Sequence, residues 1–506
     1  MASEVTTTYD EVPYDSQPVA RTHPSHLGAI ARLFGMDPKP AQRAQVLELG
    51  CASGHNLFGL AAAYPQSSFV GIDLSRVQIE QGKALLAQAN LPNVRLEQMS
   101  ILDVGQEFGT FDYIICHGIF SWVPEPVRRK ILEICRSNLS PQGVAYISYN
   151  TYPGWRVRET IRQMMLYHAE RHERPSDKCR AARAILTLVA SATESLKTYG
   201  DLFRAELEQV RRMPDWYLFH DFLSEVNQPF YFSEFMQLAD AAGLQYLCDS
   251  EVPKLLPQEF RPEAQRRIAR LSSDRIRTEQ YVDFLRNRMF RRTLLVHREV
   301  ALPSQLGSGA LEGLFMSGSL RALGTTPNGE VAFCSRGGGR IVVRDPLTAR
   351  TLELLAARWP TGYQGRELLE VAAGTLGSDA VVDGAARQVT LSTLLRAYLA
   401  GLVELSLDPS PTAFAIGTTP RSTELARYLA ANGKAVINLL NEPVELTPLE
   451  RQLIALLDGT RSVSELLQLL QHSDASLAPS ESIAFRSELD LTRQLERLAE
   501  HALLMA

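Results

Sequence analysis

Cysteine is scarce in this 506-residue chain, and its six copies (Cys51, Cys116, Cys135, Cys179, Cys248, Cys334) share no C-x-x-C spacing. That excludes a zinc ribbon and a disulfide framework, so reduced thiols and no metal site are expected. Long apolar runs are missing as well. No stretch approaches eighteen uninterrupted apolar residues, and Met1-Ala2-Ser3-Glu4-Val5-Thr6 has no basic region leading into an apolar block. Membrane insertion is therefore not expected, and a cytoplasmic location is. Nor does one sign of charge dominate: 52 Lys and Arg stand against 57 Asp and Glu, a net charge of -5. Such a balance supplies no general drive toward nucleic-acid phosphates or anionic lipid. What remains is ordinary soluble composition, 45% hydrophobic and 22% charged, long enough for roughly two to four domains.

The most informative stretch runs from Val46-Leu47-Glu48-Leu49-Gly50-Cys51-Ala52-Ser53-Gly54-His55-Asn56 to Phe69-Val70-Gly71-Ile72-Asp73. An apolar run breaks into a glycine turn and a helix, and a second apolar run ends in a carboxylate. This is the first unit of a nucleotide-binding α/β sheet, and it predicts an adenosine-type cofactor. Register decides which one. A dinucleotide site wants glycines one, three and six places into the turn, where this chain has Gly50, Ala52 and His55. Gly54 instead makes G-x-x-x-G behind Glu48, and no Lys-Ser/Thr pair follows as in a P-loop.

That turn resembles motif I of class I S-adenosylmethionine (AdoMet) methyltransferases, whose pattern usually has Gly where Ala52 stands. From Ala44 onward, alternating apolar and amphipathic stretches predict strands near 45–49, 68–72, 93–98, 111–116 and 143–149, with helices near 56–64, 75–90 and 126–138. Such a parallel sheet binds ligands at the carboxyl ends of its strands. An earlier helix is expected from His26 to Phe34 after a Ser25 cap. Residues 155–213 read as helical, and the many arginines between 261 and 292 as a solvated helix face rather than a nucleic-acid surface. Beyond about 305 there is a faint duplication. Asp345-Pro346-Leu347-Thr348 and Thr447-Pro448-Leu449-Glu450 each open a helical unit, closed by apolar strands at 401–405 and 501–504.

Further segments sharpen the resemblance: Ser100-Ile101-Leu102-Asp103, Phe111 to Pro124, Ser148 to Trp155, Tyr217 to Leu223 and Asn227 to Phe232. Together they resemble bacterial methyltransferases with a methyltransferase regulatory domain, a family that includes lysine methyltransferases of outer-membrane proteins. The resemblance covers roughly residues 9 to 300. It implies a Rossmann-like α/β sheet of seven strands with the last antiparallel, a helical insertion, and a separate, mainly helical C-terminal domain of two winged-helix-like modules. The expected divisions are 1–154 for the methyltransferase core with an N-terminal flap, 155–228 for the insertion, 229–304 for the segment completing the sheet, and 305–408 and 409–506 for the two modules.

By the same resemblance, AdoMet would be held by Glu48, Gly50, Cys51, Ala52, Gly54 and Asn56 at its methionyl end. Asp73 and Leu74 would meet its ribose, and Ser100, Ile101 and Asp103 its adenine. His117 would lie nearby, with Tyr9 or Tyr14 closing over from the flap. Tyr149, Asn150, Tyr152, Trp155 and Trp122 are the expected catalytic surroundings of the methyl, because aromatic faces favour a methylated cation. His220-Asp221 reads as a structural cap. The implied activity is methyl transfer to lysine side chains of a protein, with AdoMet the donor and S-adenosylhomocysteine the product. The partner is then a protein substrate, with an outer-membrane protein and docking through the C-terminal modules in view; a homodimer is compatible, and nucleic acid is not favoured. Alternatives are a small-molecule methyltransferase with regulatory or dimerising domains, and a catalytically silent AdoMet-binding regulator.

Overall fold

The structure, a computed structural model, describes residues 7–252, 260–303, 306–326, 329–376, 384–474 and 487–506. Two helices lead in, α1 (Thr8–Glu11) and α2 (Pro24–Leu33). The helix expected to start at a Ser25 cap begins earlier, because the His23 ring accepts from the Ser25 amide and Pro24 takes the first helical position.

The sheet follows as β1 (Gln45–Leu49), α3 (His55–Ala63), β2 (Ser68–Asp73), α4 (Arg76–Ala89), β3 (Val94–Gln98), β4 (Phe111–Cys116), α5 (Glu125–Ser137) and β5 (Leu139–Asn150). Strands β1, β2, β4 and β5 are largely buried on both faces, which is why they read as apolar runs, whereas β3 at the sheet edge buries only Leu96. Leu47 pairs with Val70 on one side and Ile114 on the other. Helices α6 (Trp155–Ala169), α7 (Pro175–Ala192), α8 (Lys197–Arg212) and α9 (Asp215–Phe222) then form the insertion. It has a core of its own, with Ile161, Met165, Leu186, Phe203, Leu218 and Phe222 packed together. The chain returns through α10 (Phe232–Ala241), β6 (Leu244–Asp249), α11 (Pro262–Leu271), α12 (Arg275–Arg286) and β7 (Phe290–His297). Seven strands lie in the order β3-β2-β1-β4-β5-β7-β6, with β7 antiparallel to both neighbours. The order reverses between β1 and β4, so their carboxyl ends open the crevice of such a sheet.

The arginine-rich segment is not wholly a solvated face. Arg291 is fully buried; its Nε donates to Asp283 Oδ2 at 2.7 Å and its Nη2 to Glu279 Oε2 at 3.0 Å, while the guanidinium lies 3.7 Å over the Phe232 ring. Arg288 pairs with buried Asp249 at 2.6 Å. These charges fasten α12 to the sheet edge.

The C-terminal part contains β8 (Phe315–Ser317), β9 (Leu320–Thr325), β10 (Val331–Ser335), β11 (Arg340–Val343), α13 (Pro346–Ala357), β12 (Tyr363–Gln364), α14 (Gly365–Thr375), α15 (Gly384–Leu399) and β13 (Glu404–Ser406). Then come α16 (Glu424–Ala431), β14 (Val436–Ile437), β15 (Pro443–Val444), α17 (Pro448–Leu456), α18 (Val463–Asp474) and α19 (Glu488–Glu500). The duplicated signals do open helices: Asp345 caps α13 and Thr447 caps α17, each with proline at the first helical position. Two three-stranded antiparallel sheets form, β11-β10-β9 and β12-β8-β13; β13 overlaps the strand expected at 401–405, and the other five strands were not expected. The strand expected at 501–504 does not form. Ala502 takes φ +56 and the Leu503 amide returns to the Leu498 carbonyl, so these residues cap α19 instead.

The C-terminal elements are less separate than the sequence suggests, since one apolar core runs from the sheet into them. The Leu407 amide donates to the Ser25 carbonyl at 3.0 Å, and Ala41 N to Asp408 Oδ2 at 2.9 Å. Asn441 Nδ2 donates to the Asn56 carbonyl at 3.1 Å and to Asn56 Oδ1 at 3.0 Å. Gly59 permits this approach: a Cβ there would lie 2.5 Å from both Asn441 Oδ1 and Ile437 Cγ2. Among the described residues no helix is long and apolar enough to cross a membrane.

Candidate functional site

The turn after β1 packs three left-handed residues into five positions, Gly50 (φ +72), Ala52 (φ +49) and Gly54 (φ +83). It folds back on the end of β2, where Gly50 N and Cys51 N donate to the Ile72 carbonyl at 2.9 and 3.0 Å. Asp73 at the tip of β2 accepts from Ala52 N and Ser75 N, both at 2.8 Å, and so ties the two turns together. Burial raises its carboxyl above the ordinary value, while those amides pull it back. Ala52 thus adopts the backbone of the glycine usual in this motif. Cys51 points inward, buried against Gly71, and can offer a ligand only its backbone.

Glu48 and Asn56 stand beneath the turn. Glu48 is buried; one oxygen accepts from Asn56 Nδ2 at 2.8 Å and the other has no hydrogen-bond partner. Burial, helped by the Asp73 charge and opposed by Asn56, pushes its carboxyl up to about 8. Asn56 Oδ1 also receives Val19 N at 2.8 Å. Across the crevice, a Cβ on Gly118 would meet nothing within 4 Å, which leaves open space past the end of β4. Leu74 is 43% exposed beside Asp73. Ser100 caps the 3₁₀ turn Ile101–Asp103 through Leu102 N at 3.2 Å, Ile101 is partly exposed and Asp103 is open to solvent.

One expected residue does not face the crevice. The Tyr149 ring is buried and stacked on Phe235 at 4.0 Å, and its hydroxyl is paired with Thr293 at 3.0 Å. It is a core residue. His117 keeps partial exposure at the end of β4; its Nδ1 lies 2.9 Å from the Tyr146 hydroxyl and 3.2 Å from Ser148 Oγ, and burial brings its pKa down to about 4, so the ring is neutral. Asn150 holds the tip of β5, its amide donating to Asn227 Oδ1 at 2.9 Å. Beyond it, Trp155 meets Trp122 edge to face at 5.9 Å. The Tyr152 hydroxyl donates to Glu159 at 3.0 Å under the Arg156 guanidinium, 3.8 Å from the ring.

The N-terminal segment is clasped over this end of the sheet. Asp10 Oδ1 accepts from Ser75 Oγ at 2.7 Å and Val77 N at 3.2 Å, at the start of α4. Tyr9 stacks on His220 at 4.2 Å, and Tyr14 meets Trp216 edge to face at 4.7 Å. The His220 ring Nε2 lies 2.7 Å from the Val12 carbonyl, so His220 ties the flap to α9. Sequence reasoning missed Trp216, Tyr217 and, as a site residue, Asp221. The i, i+4 spacing of Tyr217 and Asp221 on an aromatic helix was the available signal. Among the described residues no cluster of three or more His, Cys, Asp or Glu is placed to hold a metal.

Residues 46–143 match the family described as "Methyltransferase domain" and residues 214–297 the "Predicted methyltransferase regulatory domain". The chain belongs to the methyltransferases that carry this regulatory domain. The family's third part is present too, since residues 419–503 match "PKMT, C-terminal winged helix domain". This methyltransferase is 44% identical over 295 residues to an uncharacterized protein of Rickettsia prowazekii, a match covering 58% of this chain and only 53% of that one. The chain thus spans about half the length of that relative. A second uncharacterized protein of the same organism is 42% identical over 233 residues, covering 46% of this chain and 93% of its own. In structure, the methyltransferase is similar to PKMT2 from Rickettsia typhi, at 27% identity and TM-score 0.84 over 97% of this chain and 100% of that chain. PKMT2 has also been solved in complex with AdoHcy, which matches equally well over 98% of this chain.

Proposed function

We propose that this chain is an AdoMet-dependent methyltransferase that methylates lysine side chains of a protein substrate, reading the domain divisions as set out from the sequence. The observation that carries the proposal is the joint built by Gly50, Ala52, Gly54 and Asp73 at the switch point of the sheet. Likeness to PKMT2 along nearly the whole chain supports the rest. The residues suit the donor. Partly accessible Asp73 would take the ribose hydroxyls, the backbone from Gly50 to Gly54 the methionyl end beside the open space at Gly118, and Leu74, Ser100, Ile101 and Asp103 the adenine side. Bound there, the donor supplies an activated methyl on a sulfonium.

The chain's own task is to deliver an unprotonated amine in line. A lysine of ordinary pKa near 10.4 costs about 4 to 5 kcal/mol to hold neutral at pH 7, so the site must lower that cost by desolvation and a proton acceptor. Partly exposed Trp122 would border the incoming side chain, with buried Asn150, Tyr152 and Trp155 backing it and Tyr9 and Tyr14 closing it off. The finer reading makes the target an outer-membrane protein, methylated in the cytoplasm and docked partly on the C-terminal modules. Incubating wild type and Asp73→Ala with labelled AdoMet and a panel of outer-membrane and acid-soluble proteins tests this. Protein-bound label is expected with wild type alone. Label only in small molecules would favour a small-molecule methyltransferase, and none at all a silent regulator. Mass spectrometry of the labelled protein then gives the atom and the number of methyl groups.

A further inference from the structure

On α9, Asp221 lies one turn after Tyr217, whose hydroxyl hydrogen-bonds to its carboxylate. Burial raises the phenols of Tyr9, Tyr14 and Tyr217, and the Asp221 charge adds to each. Tyr9 stacks on His220 of α9 while its neighbour Asp10 bonds Ser75 and Val77 just after the tip of β2, so the Tyr9 ring lies between the two elements. Arg158 is the cation that Asp221 feels. That guanidinium is already engaged: Nε donates to Glu206 at 2.9 Å, Nη2 to Gln209 at 3.2 Å, and it sits 5.7 Å over the Trp155 ring. Asp221 stands between His220, bonded to the flap, and Phe222, over which the same guanidinium lies at 5.4 Å, and so on the roof of the crevice between the donor's expected ribose anchor and the tryptophan pair. Tyr9, Tyr14, Trp216, Tyr217 and Asp221 all keep partial solvent access, as the walls of an opening do and a sealed core does not. His220 cannot serve in its place, being stacked on Tyr9 and bonded to Val12.

We propose that Asp221 is a catalytic residue that receives the substrate's lysine ammonium and takes its proton, with Tyr9, Tyr14 and Tyr217 as the cation-accepting walls. This rests on the lysine-methylation reading above. A carboxylate ringed by aromatic faces attracts an ammonium and rejects an anion. The proton passes from Nζ to an Asp221 oxygen, leaving a neutral amine with its lone pair free and a carboxylic acid that later yields the proton to water. Burial moves the Asp221 carboxyl up to about 6, against the pull of Tyr217 and Arg158, which narrows its gap to an ammonium. The groups around it are Tyr217 on α9, Tyr9 and Tyr14 on the flap and Arg158 on α6.

The test is Asp221→Asn in the full chain, using labelled AdoMet and a protein that wild type methylates. AdoMet affinity by calorimetry should stay within about twofold, while turnover at pH 7 falls by about 100-fold, the scale of a lost general base. The deficit should shrink as pH rises toward the lysine's own pKa. A loss under about threefold, or one that does not change with pH, overturns the proposal. Tyr217→Phe is the second arm. Removing the hydroxyl bond that favours the charged carboxylate should move the acidic limb of the rate profile upward, and an unmoved limb overturns the proposal even if Asp221→Asn fails to fold. Wild type that labels no protein sinks the lysine reading and Asp221's role with it. Wild type that labels protein as poorly as Asp221→Asn sinks Asp221 alone.

Discussion

Glu48 gives the sharpest prediction for the donor-free protein. Its carboxyl moves from the ordinary 4.5 up to about 8, chiefly by burial. The folded state therefore prefers the protonated form. Its contribution to stability is fully present below about pH 4.5 and is lost as pH rises through about 8. The slope in that window is about 1.4 kcal/mol per pH unit, with a ceiling of about 5 kcal/mol across it. Glu48→Gln keeps the shape and the acceptor for Asn56 Nδ2, and its amide occupies the place of the unpartnered oxygen. Its melting temperature should match wild type near pH 5 and lead by several degrees at pH 8. Thermal unfolding by circular dichroism across that range reads the effect. A lead that does not grow with pH, or a variant less stable at pH 8, would refute the reasoning.

Three further outcomes follow from backbone and charge. Ala52→Gly relieves a left-handed alanine at about 1 kcal/mol, partly offset by unfolded-chain entropy, so urea unfolding should show a small gain. Gly50→Ala adds the same strain to a Cβ only 2.4 Å from Ile119 Cδ1 and should lose about 2 to 3 kcal/mol together with AdoMet binding; a neutral result would reject the tight turn. Arg291→Met strands Asp283 and Glu279 in the interior and should cost about 3 to 5 kcal/mol in the same assay. Less than about 1 kcal/mol would mean the ion cluster is dispensable.

The sheet was legible because β1, β2, β4 and β5 are apolar runs separated by amphipathic helices, and Gly50, Gly54 and Asp73 mark where the chain must turn. That same double burial hid the side chains' directions. Neighbours on β5 point to opposite faces, but both faces are apolar, so nothing in the sequence tells that Asn150 ends at the crevice while Tyr149 packs on Phe235. His117 follows the right strand, and only the structure shows that Tyr146 and Ser148 engage one of its ring nitrogens from the next one. Asp221 and Trp216 reach the crevice only because the insertion folds over the flap, a contact across some two hundred residues. The strands from Leu320 to Val343 escaped notice because they are short and largely exposed, with glycines at their turns.

Asn441 carries a consequence for how the molecule responds as a whole. Its amide grips Asn56, and Asn56 in turn holds Glu48 under the turn after β1. Whatever seizes the segment around 436–446 therefore pulls on the floor beneath the donor's anchor, and thermodynamic reciprocity makes the traffic two-way. A chain cut after β7 is then not a smaller catalyst with the same pocket. Calorimetry should find it a weaker holder of AdoMet, and equal affinity would show that the last module merely leans on the floor without steering it.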